Sequence, residues 1–296
     1  VWSCGNPQVA TVEKGKVTAV GPGTAAVVAS YTKDGERYFV RCNVTVKGVD
    51  IPDQGDGDVT WTLADDGTLY ISGKGRMKDY TIDDLLSDEP ISWDTRTSKV
   101  LRVVVEPGVT HIGNMAFYNC INLTSVTLPD SVTSIGECAF WSCESLTNVE
   151  IPKSVTSIET GVFAGCHKLT RITIPKGVTS IGDEAFDASG LTSIVIPENV
   201  TSIGNLAFSC CNGLTSVTIP KNVVSIGDEA FSHCINLDSV TIAKGVTSIG
   251  NSAFYDCRSL TSVTIPSSVT SIGDDAFCGD ALTSVTIPVG VTSIGK

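Results

Sequence analysis

Residues 109–131 read VTHIGNMAFYNCINLTSVTLPDS, and units of the same pattern begin at Val132, Val155, Val178, Val200, Val223, Val246 and Val269. The spacing is 23 residues, shortened to 22 in the units that start at Val178 and Val269, and a ninth unit runs from Val291 to Lys296. Self-similarity at this period, with Leu, Val and Ile at fixed offsets, predicts a solenoid whose units bury their apolar sides only against one another.

Within a unit, Leu123–Leu128 reads LTSVTL, which is β-branched and alternating. That pattern predicts a strand with Val126 and Leu128 inward and Ser125 and Thr127 outward. Pro129 then ends it, because proline has no amide to donate to a ladder; Ala243 is the only replacement at this offset among Pro152, Pro175, Pro197, Pro220, Pro266 and Pro288. The following VTSI segment predicts a second short strand, with Val132 and Ile135 inward and Gly136 supplying a turn. After the glycine comes Asp or Asn in most units (Asn114, Asp183, Asn205, Asp228, Asn251, Asp274), then Ala-Phe, which suits a cap opening one helical turn.

Phe117, Phe140, Phe163, Phe186, Phe208, Phe231, Phe254 and Phe277 share one offset, so they are expected to stack as a spine along the solenoid axis. Cys120, Cys143, Cys166, Cys211, Cys234 and Cys257 follow three residues later, and the two 22-residue units lack this cysteine. Equivalent slots on successive coils lie about 4.8 Å apart and point in parallel directions, which favours buried thiols over disulfides. Cys138, Cys210 and Cys278 supply no paired Cys-x-x-Cys spacing, so zinc is not expected.

The chain has 296 residues, 42% of them hydrophobic, enough for two domains or one extended array. No run approaches eighteen apolar residues, and Val1 does not open an export signal, so a soluble piece trimmed at its N-terminus is expected. The formal net charge is −12; residues 109–296 hold 8 basic and 16 acidic groups. Such a surface has no field to attract phosphate backbones or anionic lipid, so neither nucleic acid nor membrane insertion is expected.

The unit VTSIGxxAFxxCxxLTSVTIP resembles the BspA-like leucine-rich repeats of bacterial surface proteins. The resemblance covers residues 100–296, counting Val100–Glu106 (VLRVVVE) as the strand of a degenerate leading coil. It implies a mainly β fold, a curved right-handed leucine-rich-repeat solenoid of 22–23-residue coils. It also implies export, attachment to the cell surface, and adhesion to host proteins or other cells. The sequence departs from the pattern by stopping in mid-coil.

Upstream, WTLADDGTLYISG (Trp61–Gly73) reads as a hairpin around Asp65-Asp66-Gly67, with Trp61, Leu63, Leu69 and Ile71 on one face. Residues 59–99, with Met77, Leu85, Leu86 and Trp93, are placed to cap the open end of the array. Residues 49–58 form an acidic linker. Its DQGDGD run (Asp53–Asp58) admits a calcium reading, but the spacing misses the EF-hand pattern and the interleaved Gly55 and Gly57 suit a flexible joint. Residues 1–48 resemble a bacterial immunoglobulin-like domain of group 2, on the run from Asn6-Pro7 through Gly21-Pro22-Gly23-Thr24. The family's first strand or two are missing, so a partial sandwich is expected. Cys4 and Cys42 lie near its two ends, and a disulfide between them would tie the outer strands together in an oxidising compartment.

Three histidines, His111, His167 and His233, occupy three different repeat offsets with no recurring serine, acid or second histidine beside them. They read as surface substitutions, so neither an enzyme nor any cofactor is expected. The outward sheet positions form a Ser/Thr carpet that Asn148, Glu150 and Arg171 interrupt, the last two being close enough for an exposed ion pair. Tyr118 and Trp141 share an offset on adjacent coils, which Tyr255 repeats. They read either as partner anchors or as cover for the solenoid edge. Two function classes stand: a monomeric, extracellular adhesion module whose first three coils contact a protein or glycan, and a passive stalk presenting another domain.

Overall fold

The computed structural model describes residues 2–5, 10–19, 23–33, 36–46, 51–52, 59–86 and 99–296. Over the repeats it is a β-solenoid in which every coil adds a short parallel VTSI strand and most add a second. The VTSI strands register serine on serine and isoleucine on isoleucine: Ser157 pairs with Ser180, then Ser202, Ser225, Ser248, Ser271 and Ser293. The other sheet runs Thr68–Ser72, Arg102–Val105, Ser125–Thr127 and Asn148–Val149, and resumes at Ser216–Ile219, Ser239–Ile242 and Ser262–Thr264. Between these runs, residues 171–174 and 193–196 are not strands.

Proline acts as the pattern predicts. The carbonyl of Pro129 accepts the amide of Val132 at 3.0 Å, closing a tight turn between the two strands, and Pro152, Pro175, Pro197, Pro220, Pro266 and Pro288 do the same. At Ala243 an amide is present, and it extends the ladder by one bond to Ile219 O at 3.1 Å. The exception shows what the proline withholds.

The segment after the glycine corrects the sequence reading. It is not a helical turn but two consecutive turns, with left-handed residues two places after the glycine and two after the phenylalanine, as at Met115 (φ 54) and Asn119 (φ 57). The Asx side chain does not cap its own turn either. Its oxygen accepts the amide of the equivalent residue one coil on: Asp183 from Asn205 at 2.7 Å, Asn205 from Asp228 at 2.8 Å, Asp228 from Asn251 at 2.7 Å. A side-chain ladder therefore stitches the coils, which a cap on one turn would not do. The preceding glycine serves the same stacking. A Cβ on Gly227 would lie 2.5 Å from Gly204 backbone atoms, so contact between coils, rather than a positive φ, excludes larger residues.

The interior is the expected spine. Successive phenylalanine rings from Phe117 to Phe277 stack at 5.2–5.6 Å between centroids with 3–15° between planes. The repeat cysteines are buried beside it, and each thiol from Cys143 onward donates to the carbonyl of a phenylalanine one coil back, as Cys143 does to Phe117 O at 3.3 Å and Cys234 to Phe208 O at 3.1 Å. Burial pushes the Cys166 and Cys211 thiols up to about 12. In the first shortened unit Ser189 takes the slot and stands 3.2 Å from Cys211 Sγ.

The cap is an antiparallel hairpin, Thr60–Leu63 against Thr68–Ser72, turned at Gly67 (φ 78), whose second strand starts the parallel sheet. Trp61, Leu69, Ile71, Met77 and Tyr80 are buried and Leu63 and Leu85 pack on them. Ile51–Pro52, assigned by sequence to the linker, pairs as an edge strand on Thr60–Trp61. Asp53–Asp58 and Trp93 lie outside the described residues. His111 corrects its reading as a surface substitution: its side chain is 8% exposed and bridges cap and array. Its Nε2 meets Asp79 Oδ1 at 2.9 Å and its Nδ1 meets Ser134 Oγ at 2.7 Å. Asp79 also accepts the Asn114 amide at 2.9 Å. Although burial opposes it, that amide and the His111 ring hold the Asp79 carboxyl below its usual value.

Ahead of the cap, Trp2–Cys4, Gly23–Lys33 and Glu36–Val46 form a three-stranded antiparallel sheet, and Ala10–Glu13 with Lys16–Ala19 form a hairpin. Cys4 and Cys42 both register with Val27, one on each side. They stand two strand spacings apart, about 9.6 Å, beyond the roughly 4.4–6.8 Å a disulfide spans. The expected Cys4–Cys42 bridge is therefore not made, because a whole strand lies between the two.

Three outcomes follow from this packing. Phe208→Ala, mid-spine and fully buried, should lower stability by about 3–5 kcal/mol in denaturant unfolding. Iodoacetamide at neutral pH should label exposed Cys42 and Cys278 while sparing Cys166 and Cys211, whose buried thiols are raised to about 12, until the chain is unfolded. A depressed Asp79 stabilises the fold above its unfolded value of about 3.9, and that contribution disappears as pH falls through the lower folded value. Urea midpoints of Asp79→Asn and the parent chain should differ at pH 7 and converge as pH falls below the lowered folded value of Asp79.

Candidate binding face

The outward positions of the interrupted sheet are where coils differ from one another. On the second coil Val149 is buried, and Asn148 and Glu150 on either side of it are exposed; on the third, Arg171 is exposed. Alternation places all three on one face. Asn148 registers with Ser125 of the preceding coil, and counting from the strand-opening leucines, Arg171 stands at the offset of Asn148, two residues short of that of Glu150. Glu150 and Arg171 are therefore diagonal neighbours, at separations of about 7–8 Å between backbones, and no ion pair joins them among the described residues. The expected salt bridge is corrected by that two-residue offset.

One residue of this face escaped the sequence reading. Val195, on the fourth coil at the offset of Glu150, is 81% exposed between buried Ile194 and Ile196. Its signal was available in the outward row Thr127, Glu150, Thr173, Val195, Thr218, where it is the one apolar member.

Tyr118 and Trp141 stand elsewhere on the coil, in the turns between the strands, and no contact links them to the sheet trio. Their rings stack at 6.4 Å with 21° between planes. The far side of Trp141 packs on the next coil: a Cβ on Gly161 (φ 63) would come within 2.6 Å of the indole. Both residues are half-buried, as cover for the solenoid edge would be. Tyr255 recurs in a different setting, edge-on to His233 at 5.4 Å, beside Asp256, which Arg258 grips through two bonds of 2.9 Å.

The groups with chemistry are dispersed. His111, Ser134 and Asp79 are linked in a row, but Ser134 lies within a strand whose ladder already uses its neighbouring amides, leaving no donors to hold an oxyanion. Glu184 and Asp187 are raised first by burial. Asp280, in the cysteine slot of the second shortened unit, is pushed up to about 7 by burial, with the Cys257 amide on one oxygen. Asp187 has the Ser209 side chain as a hydrogen-bond partner with His167 nearby, and Asp280 stands against Cys257, at separate places along the array; no group of three or more His, Cys, Asp or Glu among the described residues could hold a metal. No helix among them is long and apolar enough to cross a membrane.

This geometry has close counterparts. A family model described as the BspA type leucine rich repeat region matches residues 96–215 and 179–296. A leucine-rich repeat protein from Bacteroides ovatus is 29% identical, with a TM-score of 0.65 over 81% of this chain and 60% of that one. The chain thus spans less than two thirds of that relative. A leucine rich repeat protein of T. pallidum is 27% identical, with a TM-score of 0.52 over 68% of this chain and 87% of that one. No curated sequence matches significantly. Repeat and coil agree with these matches, and the chain belongs to the BspA-type leucine-rich repeat family.

Proposed function

We propose that this chain is a non-enzymatic binding module of the bacterial cell surface or its surroundings, adhering to a host or microbial protein or glycan through its early coils. The observation that supports it is the uneven face: Asn148 and Glu150 flank buried Val149 and exposed Arg171 follows on the next coil, whereas the fifth to eighth coils repeat Ser and Thr at the same offsets. A rigid scaffold with local side-chain variation is how a repeat array acquires specificity without a pocket. Tyr118 and Trp141 extend the contact to the adjoining turn, where an amphipathic ring edge gives large contact area at low entropic cost. The antiparallel sheet over residues 2–46 supports an immunoglobulin-like spacer ahead of the array.

A second reading is favoured by the same coils five to eight. Their near-identical outward rows suit a stalk that holds another domain away from the cell wall. Adhesion of beads coated with the chain to host-matrix proteins and bacterial lysate separates the two. Trp141→Ala with Arg171→Ala should reduce adhesion by about tenfold or more, with thermal melts confirming that the array still folds. Adhesion by neither the parent nor the variant would leave the stalk.

A further inference from the structure

The third coil gathers exposed cations, with Glu150 and Glu198 on the coils to either side, and the fourth adds an exposed apolar side chain. Residues 155–177 carry Lys168, Arg171 and Lys176 against one acid, Glu159, which lies beyond the other sheet's strand and accepts a bond from Ser157 Oγ. The repeats as a whole hold 8 basic and 16 acidic groups. All three cations are exposed, and no carboxylate pairs with any of them among the described residues. One coil further stands Val195, 81% exposed on the same face. On these two coils the inter-coil ladder also lapses, at residues 171–174 and 193–196, as it does on the eighth at residues 284–287.

We propose that the face of the third and fourth coils docks an acidic, extended stretch of polypeptide, its carboxylates meeting Lys168, Arg171 and Lys176 and an apolar side chain covering Val195. This rests on the binding reading above and names the partner's chemistry. Charge complementarity selects an anion, and Arg171 offers a planar fork that a carboxylate engages through two parallel bonds. Val195 selects polypeptide over a sulfated glycan, since a sugar polymer with dense charge carries no apolar side chain to exclude water from it. Arg171 stands in the outward row, Lys168 in the turn that enters that segment and Lys176 in the turn that leaves it, so the three charges are spread across the coil and an extended ligand meets more of them than a compact anion does.

The test uses the whole chain and two labelled probes, a peptide in which glutamate alternates with leucine and a heparin fragment, read by fluorescence anisotropy. The peptide should bind, more weakly as salt rises, losing about tenfold in Lys168→Glu with Arg171→Glu and about fivefold in Val195→Ser. Heparin should bind less tightly and ignore Val195→Ser. These side chains are exposed, so unchanged melts are expected; Arg171→Gln and Val195→Thr replace any variant whose melt shifts. A peptide that does not bind, or binds regardless of Val195, overturns the proposal, as does heparin binding the more tightly. If adhesion to matrix survives Arg171→Glu with Val195→Ser, this surface is wrong while the binding reading stands. If the peptide binds and adhesion is absent altogether, the binding reading fails and the surface remains.

Discussion

The constraint on which the rest depends is the exact repetition of main-chain hydrogen bonds from coil to coil. No coil closes bonds enough within itself; the amide of Phe140 reaches Val162 O on the next coil at 3.0 Å, and that of Thr133 reaches Thr110 O on the previous one at 2.9 Å. Because every buried donor and acceptor needs a partner, the coils must be held at one strand spacing in one register. That register makes equal offsets equal places. The phenylalanines then have no choice but to stack, and the cysteines to line up beside them.

Side chains reinforce the same spacing in ways that a single unit would not show. The Asx oxygens accept amides one coil on. Threonine hydroxyls donate to carbonyls of the neighbouring coil, as Thr133 does to Thr110 and Thr270 to Thr247. Glycine keeps the backbones close enough for both. Much of the polar repeat is thus devoted to assembly, which leaves the outward sheet rows, and few other places, able to vary without loosening the stack. Function on such a scaffold is expected where the rows break, on the second to fourth coils.

Sequence by itself determined the period, the VTSI strand, the proline stop and the phenylalanine spine, because these depend on residue type and spacing alone and the stacking operator copies them; the second strand it also predicted is missing on the third, fourth and eighth coils. It located the cap for the same reason, Trp61, Leu69 and Ile71 falling on one face of a hairpin. Tertiary structure decided what depends on neighbours across coils. Whether Asp or Asn after the glycine caps its own turn or joins a ladder cannot be read within one unit, since both uses want the same side-chain oxygen. The two-residue diagonal between Glu150 and Arg171 and the strand lying between Cys4 and Cys42 are likewise matters of register, as is the clamp of His111 on Asp79. Pattern reports which residues recur; only packing between coils settles which atoms meet.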